Sequence, residues 1–275
     1  CARRGMPAEL ALVPFVESQF NPLARSPASA VGLWQFIPST GRQFDLKQNR
    51  WMDERRDLRA STRAALDYLT YLYRMHGDWH LALASYNWGE GSVLRAIRKA
   101  QDAGLQPKLE NLSLPAETRQ YVPKLQALKN LIQNPEKYGI ELPHLPNKPF
   151  FAEIRHSGNV DLREIARLAD VELELIRKLN PALNQPILYA DQSDTLLVPV
   201  EHFARIQASL EQYKPREIYR SYIVRKGDSL AKIALRFNVM VKELQRLNGL
   251  GKKKKIRPGM EILIPSLGSS RQWSD

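Results

Sequence analysis

Residues 8–36 read AELALVPFVESQFNPLARSPASAVGLWQF, and the interpretation of the whole chain depends on this stretch. It begins with an apolar run, residues 10–16, which ends at Glu17. A segment that is apolar on every side is expected to be buried all round. The run therefore predicts a short buried helix over residues 7–18, bent at Pro14, whose ring removes one backbone hydrogen bond.

Two interpretations of the Glu17 carboxyl group are open at this point. In one, Glu17 leaves the core and faces water, as most glutamates do. In the other, burial at the end of an apolar helix favours the protonated carboxyl and raises its pKa. A carboxylic acid that is neutral near pH 7 is what acid catalysis on a glycosidic oxygen requires.

The composition limits the possible classes of protein. A chain of 275 residues is long enough for roughly two domains, or for one domain with small modules. An excess of 41 basic over 29 acidic residues gives a net charge of +12, which implies an anionic partner such as nucleic acid, a membrane surface or an acidic polymer. Cys1 is the single cysteine, so no internal disulfide can form. The chain shows no signal peptide at Cys1 and runs directly into the first helix, so we expect further sequence before it.

Helical periodicity dominates residues 1–142. Apolar residues recur at helical spacing from Leu58, and Gly77-Asp78 ends that helix and caps the next. Further helices are predicted over residues 92–103 and 115–134, and strand signals are nearly absent. This part is predicted to be all-α.

Two sites in this part, Gln35 and the segment 86–88, have open roles. Gln35 lies in an apolar block, so it either makes structural hydrogen bonds or faces a groove and binds a substrate. Tyr86, Asn87 and Trp88 at a helix end form either a sugar-binding edge or, for the aromatic rings, part of the core.

A proline-rich segment at residues 143–149 marks a domain boundary, and an internal repeat follows it. The second copy, residues 220–266, has a strand, two helices and a strand, with Asp228 in a turn where it can cap a helix. The first copy, residues 150–213, keeps the apolar positions at one constant offset but lacks the Gly-Asp-Ser turn and adds a helix. The predicted fold class is α+β, with an all-α domain over residues 1–142 and two βααβ modules.

Four blocks occur in order and carry a resemblance to a known family: Glu17–Pro22, Gly32–Phe36, Ser85–Gly89 and Glu117–Val122. They resemble the signature of soluble-lytic-transglycosylase-type domains, glycoside hydrolase family 23. Residues 222–265 resemble a LysM domain, and residues 151–199 resemble a degenerate one. The resemblance implies a lysozyme-like catalytic domain followed by two LysM-type modules.

The resemblance also implies a reaction. Glu17 matches the family's single catalytic acid, which protonates the β-1,4 glycosidic oxygen between N-acetylmuramic acid and N-acetylglucosamine in peptidoglycan. The same residue then acts as base on the muramic acid 6-hydroxyl, so the product is 1,6-anhydro-N-acetylmuramic acid. Most glycosidases need two carboxylates; the resemblance assigns the second role to the substrate's own N-acetyl group. The resemblance implies no cofactor and no metal.

The remaining site residues come from the same resemblance. Polar residues that match positions lining the cleft or lying near the acid are Ser26, Gln35, Tyr86, Asn87 and Tyr121. In the second module the turn implied to bind glycan consists of Gly227, Asp228, Ser229 and Leu230.

Two charged segments have alternative interpretations. The lysine run 252–255 suggests nucleic-acid binding, but such runs are usually solvated loops. By the LysM resemblance it borders the glycan groove, so we expect it to attract the acidic wall polymer and expect no nucleic-acid partner. Residues 45–59 carry four carboxylates and four arginines, Asp45, Asp53, Glu54 and Asp57 with Arg50, Arg55, Arg56 and Arg59, and are interpreted as a solvated charged face.

The expected location is the bacterial cell envelope on its periplasmic side, with attachment to a membrane, such as the outer membrane, through a segment before residue 1. Two alternatives stay open: a lysozyme-like muramidase that hydrolyses the same bond, and a non-catalytic cell-wall-binding scaffold. The intact Glu17 with its neighbouring blocks argues against the scaffold.

Overall fold

A computed structural model describes residues 1–213, 219–248, 250 and 255–265. The chain divides into two compact units, Cys1–Tyr213 and Lys214–Asp275. Across the described residues, every helix is too short or too polar to cross a membrane.

The first unit begins with a helical part. Its α-helices are α1 Val13–Ser18, α2 Pro38–Gln43, α3 Leu58–His76, α4 Trp79–Trp88, α5 Glu90–Asp102 and α6 Ala116–Gln133. Short 3-10 helices lie at Ala2–Arg4, Ala8–Leu12, Leu109–Asn111 and Pro135–Tyr138. Within residues 1–142, all of which are described, strand pairing is limited to isolated bridges such as Arg25–Val31 and Gln48–Asp53.

The centre of this helical part is α4, which contacts α3, α5 and α6. Ala82 and Ala84 are fully buried and Leu83 nearly so, because the helix is apolar on several sides and has neighbours on each of them. The ends of the helices follow the sequence signals: Gly77 ends α3 in the left-handed conformation, and the Asp78 side chain caps α4 by accepting a hydrogen bond from the Leu81 amide.

The first apolar run differs from the prediction in two ways. Residues 7–18 form a 3-10 helix followed by α1, and Pro14 lies in the first turn of α1, where its missing N–H costs no hydrogen bond and causes no bend near the last turn. The run is also buried on one side only: Leu10 and Val13 are in the core, whereas Phe15 is 42% exposed.

The first repeat is the remainder of the first unit. Its antiparallel pairs are β1 Phe151–Arg155 with β4 Thr195–Pro199, in which Phe151 faces Pro199, and β2 Val160–Asp161 with β3 Ile187–Leu188. Its helices are α7 Leu162–Ala169, α8 Leu173–Leu179 and α9 Phe203–Gln212, with a 3-10 turn at Val200–His202. The helices α8 and α9 pack against the main sheet, and this module has a separate core that includes Leu162, Ile165 and Ile206.

In the described residues of the second unit, a strand, two helices and a closing strand follow the same order as in the first repeat. The strand β5 Tyr219–Ile223 pairs antiparallel with β6 Glu261–Pro265, and the helices α10 Leu230–Phe237 and α11 Val241–Leu247 lie between them in sequence. The helix cap predicted at Asp228 is wrong: Ser229 caps α10 by accepting from the Lys232 amide. Asp228 instead accepts hydrogen bonds from the Tyr222 hydroxyl and the Arg225 amide, which close the turn.

One asparagine holds each repeat together. The Asn248 amide donates to Leu244 O at 2.8 Å and Leu263 O at 2.9 Å, and its oxygen accepts from Leu263 N at 2.7 Å. Asn180 makes the same set of hydrogen bonds in the first repeat, to Ile176 and Leu197. This asparagine therefore ties the end of the second helix to the closing strand in both copies.

Replacing Asn248 by Ala is expected to destabilise the second unit by about 2–4 kcal/mol, because three hydrogen bonds are lost and buried backbone groups of Leu263 lose partners. Hydrogen exchange of the Leu263 amide and urea unfolding measure the effect. The control is Asn130→Ala, which removes an exposed amide on α6. Equal protection of Leu263 in both variants would contradict the assignment.

Candidate active site

The site centres on Glu17, the next-to-last residue of α1. The Tyr121 hydroxyl, from α6, donates a hydrogen bond to Glu17 Oε1 at 2.5 Å. Tyr121 is 3% exposed, whereas Glu17 is half-buried and keeps contact with solvent. A buried hydroxyl therefore holds a carboxyl group that a ligand in solution can reach.

Burial raises the pKa of Glu17 from its usual 4.5 to about 7. The Tyr121 hydrogen bond lowers this pKa because it favours the charged carboxylate, and the nearby charge of Glu117 raises it. Desolvation is the largest of the three effects, so Glu17 is partly protonated near neutral pH. Of the two interpretations of Glu17, the structure supports the buried, proton-holding one.

Tyr86 connects α4 to the loop of residues 24–36, which we name the active-site loop. Its hydroxyl donates to Trp34 O at 2.7 Å, and its ring packs against Phe36 and Tyr68. Burial, followed by the charge of Glu17, raises the pKa of Tyr86 well above its usual value, and the same causes act on the pKa of Tyr121. Both phenols therefore stay protonated beside the acid.

Asn87 lies next to Tyr86 and is oriented from α6. Its Oδ1 accepts a hydrogen bond from the buried Thr118 hydroxyl at 2.7 Å. This contact leaves the Asn87 amide nitrogen as a donor that the described residues do not use. A ligand with a carbonyl or hydroxyl oxygen fits that position.

Ser26 and Gln35 make contacts within the active-site loop itself. Ser26 Oγ accepts from the Ala30 amide at 3.1 Å, and Gln35 Nε2 donates to Gly32 O at 2.9 Å and Ala24 O at 3.3 Å. Gln35 has a positive φ of 48°, which is strained for a residue other than glycine. The structural interpretation of Gln35 is therefore supported, and roles for Ser26 and Gln35 in substrate binding stay predictions.

Three contributors at this site were not identified from the sequence. Glu117 and Thr118 precede Tyr121 by four and three residues, so the helical spacing on α6 could have identified them. Ser18 Oγ lies 2.9 Å from Leu33 O, tying α1 to the active-site loop. This contact joins residues fifteen positions apart through irregular backbone, and no sequence pattern indicates it.

The predicted glycan turn of the second unit is held by contacts within that unit. Gly227 adopts φ 86°, Ser229 caps α10 and Leu230 packs partly buried against the core. Asp228 faces Tyr222 and Arg236, and these partners lower its pKa, the Tyr222 hydrogen bond most. Glycan binding by these four residues stays a prediction.

Family comparisons agree with this architecture. A Transglycosylase SLT domain matches residues 1–107, the Lytic transglycosylase MltD, LysM-like domain matches residues 150–215, and a LysM domain matches residues 222–265. The chain belongs to the transglycosylase SLT-domain family, with modules of LysM type after that domain. This confirms the family and the fold class expected from the four sequence blocks.

Within that family the chain is similar to membrane-bound lytic murein transglycosylase D of Escherichia coli, strains K12 and O6:H1. The identity with each is 38%, over 98% of this chain and 62% of the relative. The chain thus spans less than two thirds of the length of these relatives. A protein of Alteromonas sp. strain M-1, named for tributyltin chloride resistance, is 40% identical over 54% of this chain and 71% of its own.

The raised pKa of Glu17 predicts a pH-dependent stability. The folded state binds the proton more tightly than the unfolded chain, so this contribution is complete below about pH 4.5 and is lost as the pH rises through about 7. Glu17→Gln is expected to gain stability over wild type by about 2–3 kcal/mol between pH 4.5 and pH 8. Urea unfolding at both pH values measures this, with the exposed Glu136→Gln as control; parallel pH curves for Glu17→Gln and wild type would contradict it.

Tyr121→Phe is expected to raise the pKa of Glu17 further, because it removes the donor that stabilises the charged form. Carbon-13 NMR of labelled glutamate carboxyl groups follows the titration directly. Tyr86→Phe is the matched control, since its hydroxyl binds Trp34 O and not Glu17. A Glu17 titration that shifts equally in both variants would show that the hydrogen bond is not the cause.

Proposed function

We propose that this protein is a peptidoglycan lytic transglycosylase that cleaves the β-1,4 bond between N-acetylmuramic acid and N-acetylglucosamine. The observation that carries the proposal is Glu17: one carboxyl group, desolvated to a pKa of about 7 and held by Tyr121 in a domain of the SLT family. The similarity to membrane-bound lytic murein transglycosylase D supports the substrate class.

In the first step, protonated Glu17 donates its proton to the glycosidic oxygen. The carboxylate that results is a stronger hydrogen-bond acceptor, and the Tyr121 hydroxyl is already in place to stabilise it. Because the pKa values of Tyr121 and Tyr86 are raised, both phenols stay hydrogen-bond donors throughout. The Tyr121 hydroxyl therefore stabilises the charge that develops on Glu17 without having to move.

In the second step, the Glu17 carboxylate takes the proton of the muramic acid 6-hydroxyl as that oxygen attacks the anomeric carbon. The bond to the leaving sugar has then broken, a 1,6-anhydro ring has formed, and Glu17 is protonated again. A pKa of about 7 suits both steps, because neither protonation state of Glu17 is scarce near neutral pH. Gln35, Asn87 and Ser26 are proposed to bind the sugars around the bond, with the amide nitrogen of Asn87 as one donor.

The partner proposed is the acidic wall polymer, to which a net charge of +12 gives a long-range, salt-sensitive attraction. LysM-type modules at residues 150–213 and 220–266 follow a catalytic domain at residues 1–142, and the turn 227–230 is proposed to bind glycan in the second. Within the lysine run 252–255, Lys255 is exposed and the other three residues lie outside the described part of the chain. The proposed location is the periplasmic side of the cell envelope, with membrane attachment as in the relative's name.

Digestion of purified peptidoglycan sacculi with mass analysis of the products tests the activity. Wild type is expected to release 1,6-anhydro products, and Glu17→Gln is expected to release them at least about 10³-fold more slowly, because the acid and the base are lost together. Glu136→Gln serves as the control for a changed surface glutamate. Products that carry an added water would identify a muramidase instead, and near-normal release by Glu17→Gln would overturn the role of Glu17.

A further inference from the structure

The first repeat contacts the helical part through its residues 182–192, between α8 and β4. The backbone N–H of Asp53 donates to Ala182 O at 2.8 Å, and the backbone N–H of Asn184 donates to Trp51 O at 2.8 Å. These backbone hydrogen bonds and the isolated β-bridge Met52–Leu183 join the main chain of the helical part to that of the first repeat. The repeat is thus joined to the segment 45–59, which was interpreted from sequence as a solvated charged face.

Side chains extend this contact on both sides. The side-chain amide of Asn184 donates to Asn49 O at 3.0 Å, and the side-chain amide of Asn49 donates to Gln192 Oε1 at 2.7 Å. The Trp51 and Tyr189 rings lie 4.4 Å apart between centroids. Further polar contacts across the same boundary are Lys47 with Gln192 O, Arg56 with Ala182 O and Asn184, and the ion pair Arg59–Glu153.

The charged-face interpretation is wrong for Arg55, which is 8% exposed. Two of its guanidinium nitrogens donate to the carboxylate of Asp53, at 2.9 and 2.8 Å. The third donates to Ser29 O at 2.9 Å and to Phe36 O at 3.1 Å. A single guanidinium therefore joins two distant points of the active-site loop and holds them against the segment that the first repeat contacts.

The backbone of Arg55 also touches this loop. A Cβ on Gly32 would lie 2.0 Å from Arg55 O, and Gly32 has φ 86°, so only glycine allows this approach. On its other side the loop contacts Ser18 at Leu33 O and Tyr86 at Trp34 O. A continuous series of contacts thus runs from the first repeat through Asp53 and Arg55 to the residue beside Glu17.

We propose that Arg55 is a positioning residue for the active-site loop, and that the first repeat holds Arg55 in place through residues 182–192. The inference rests on the proposed function and assigns the first repeat to the catalytic machinery instead of to glycan capture. A buried guanidinium–carboxylate pair is by itself weak evidence for stability, since desolvation offsets much of the attraction. Its two hydrogen bonds to loop carbonyls give the pair a geometric role.

Loosening this contact has two expected consequences for the reaction. The loop carries the carbonyls that Ser18 and Tyr86 bind, so the geometry around Glu17 becomes less defined and kcat falls. Water also gains access to the carboxyl group, which weakens desolvation and lowers the pKa of Glu17. The groups that face Glu17 are Tyr121, Tyr86 and Glu117, and the variants below leave them unchanged. A lower pKa of Glu17 in these variants would therefore indicate that the active-site loop has moved.

The test uses the full chain with Asn184→Ala/Gln192→Ala and, separately, Arg55→Lys. Each is expected to lower kcat on sacculi about tenfold, with a smaller change in KM, and to move the high-pH loss of activity to lower pH. The control for the first variant is Asn130→Ala and for the second Arg63→Lys, at an exposed arginine of α3. Thermal unfolding is recorded in parallel, and rates are measured well below each transition.

The outcomes separate the two proposals. If wild type releases anhydro products and Asn184→Ala/Gln192→Ala keeps the wild-type kcat and pH profile, the inference is overturned and the proposed function stands. A role in stability alone would lower the unfolding temperature and leave kcat and the pH profile unchanged, which also overturns it. If wild type releases no anhydro product, the proposed function itself fails. A lowered kcat with a shifted pH profile, absent from both controls, supports the inference.

Discussion

The carboxyl group of Glu17 is subject to two opposed effects, and the helical part is arranged around their balance. Burial removes water and favours the proton, while the Tyr121 hydroxyl favours the charge. In the proposed reaction Glu17 releases a proton and then accepts one, and neither effect alone suits both steps. Burial without a donor would leave the ionised state too costly, and a donor without burial would leave the acid ionised at neutral pH. The fold brings α1 and α6 together at this point, and α4 packs against α6.

Elements with strong periodicity were predicted well from the sequence, because their helix-forming pattern and their partners agree. The helix α3 begins at Leu58 and ends before Gly77 as expected, and α6 follows Pro115. The apolar approach left Glu17 open between a solvent-facing and a buried position. The structure shows Glu17 half-buried, and the approach is a 3-10 helix followed by a short α-helix with Phe15 exposed. Composition indicated burial, but it could not indicate which side of the segment meets the core.

The sequence was least informative where contacts join distant residues through irregular backbone. Arg55 and Arg56 look like surface charges in a charged segment. Arg55 instead binds loop carbonyls at Ser29 and Phe36, and the partners of Arg56 in the first repeat lie more than a hundred positions later. No local pattern carries that information. Gln35 was ambiguous for a related reason, since its partners are carbonyls of a loop whose path the sequence does not reveal. Asp228 and Ser229 are both good helix caps, and only the Tyr222 contact of Asp228 decides between them.

The position of Tyr121 has a consequence for how this chain can be dissected in the laboratory. The family match ends at residue 107, yet the donor that holds Glu17 comes from α6, which begins at Ala116. A fragment cut at the family boundary would keep the acid and lose its phenol. A fragment cut after residue 142 would keep both, but the backbone groups of Trp51, Met52 and Asp53 that pair with the first repeat would lose those partners. The compact unit Cys1–Tyr213 keeps these contacts, and it extends well beyond residue 107, where the match to the domain that gives the family its name ends.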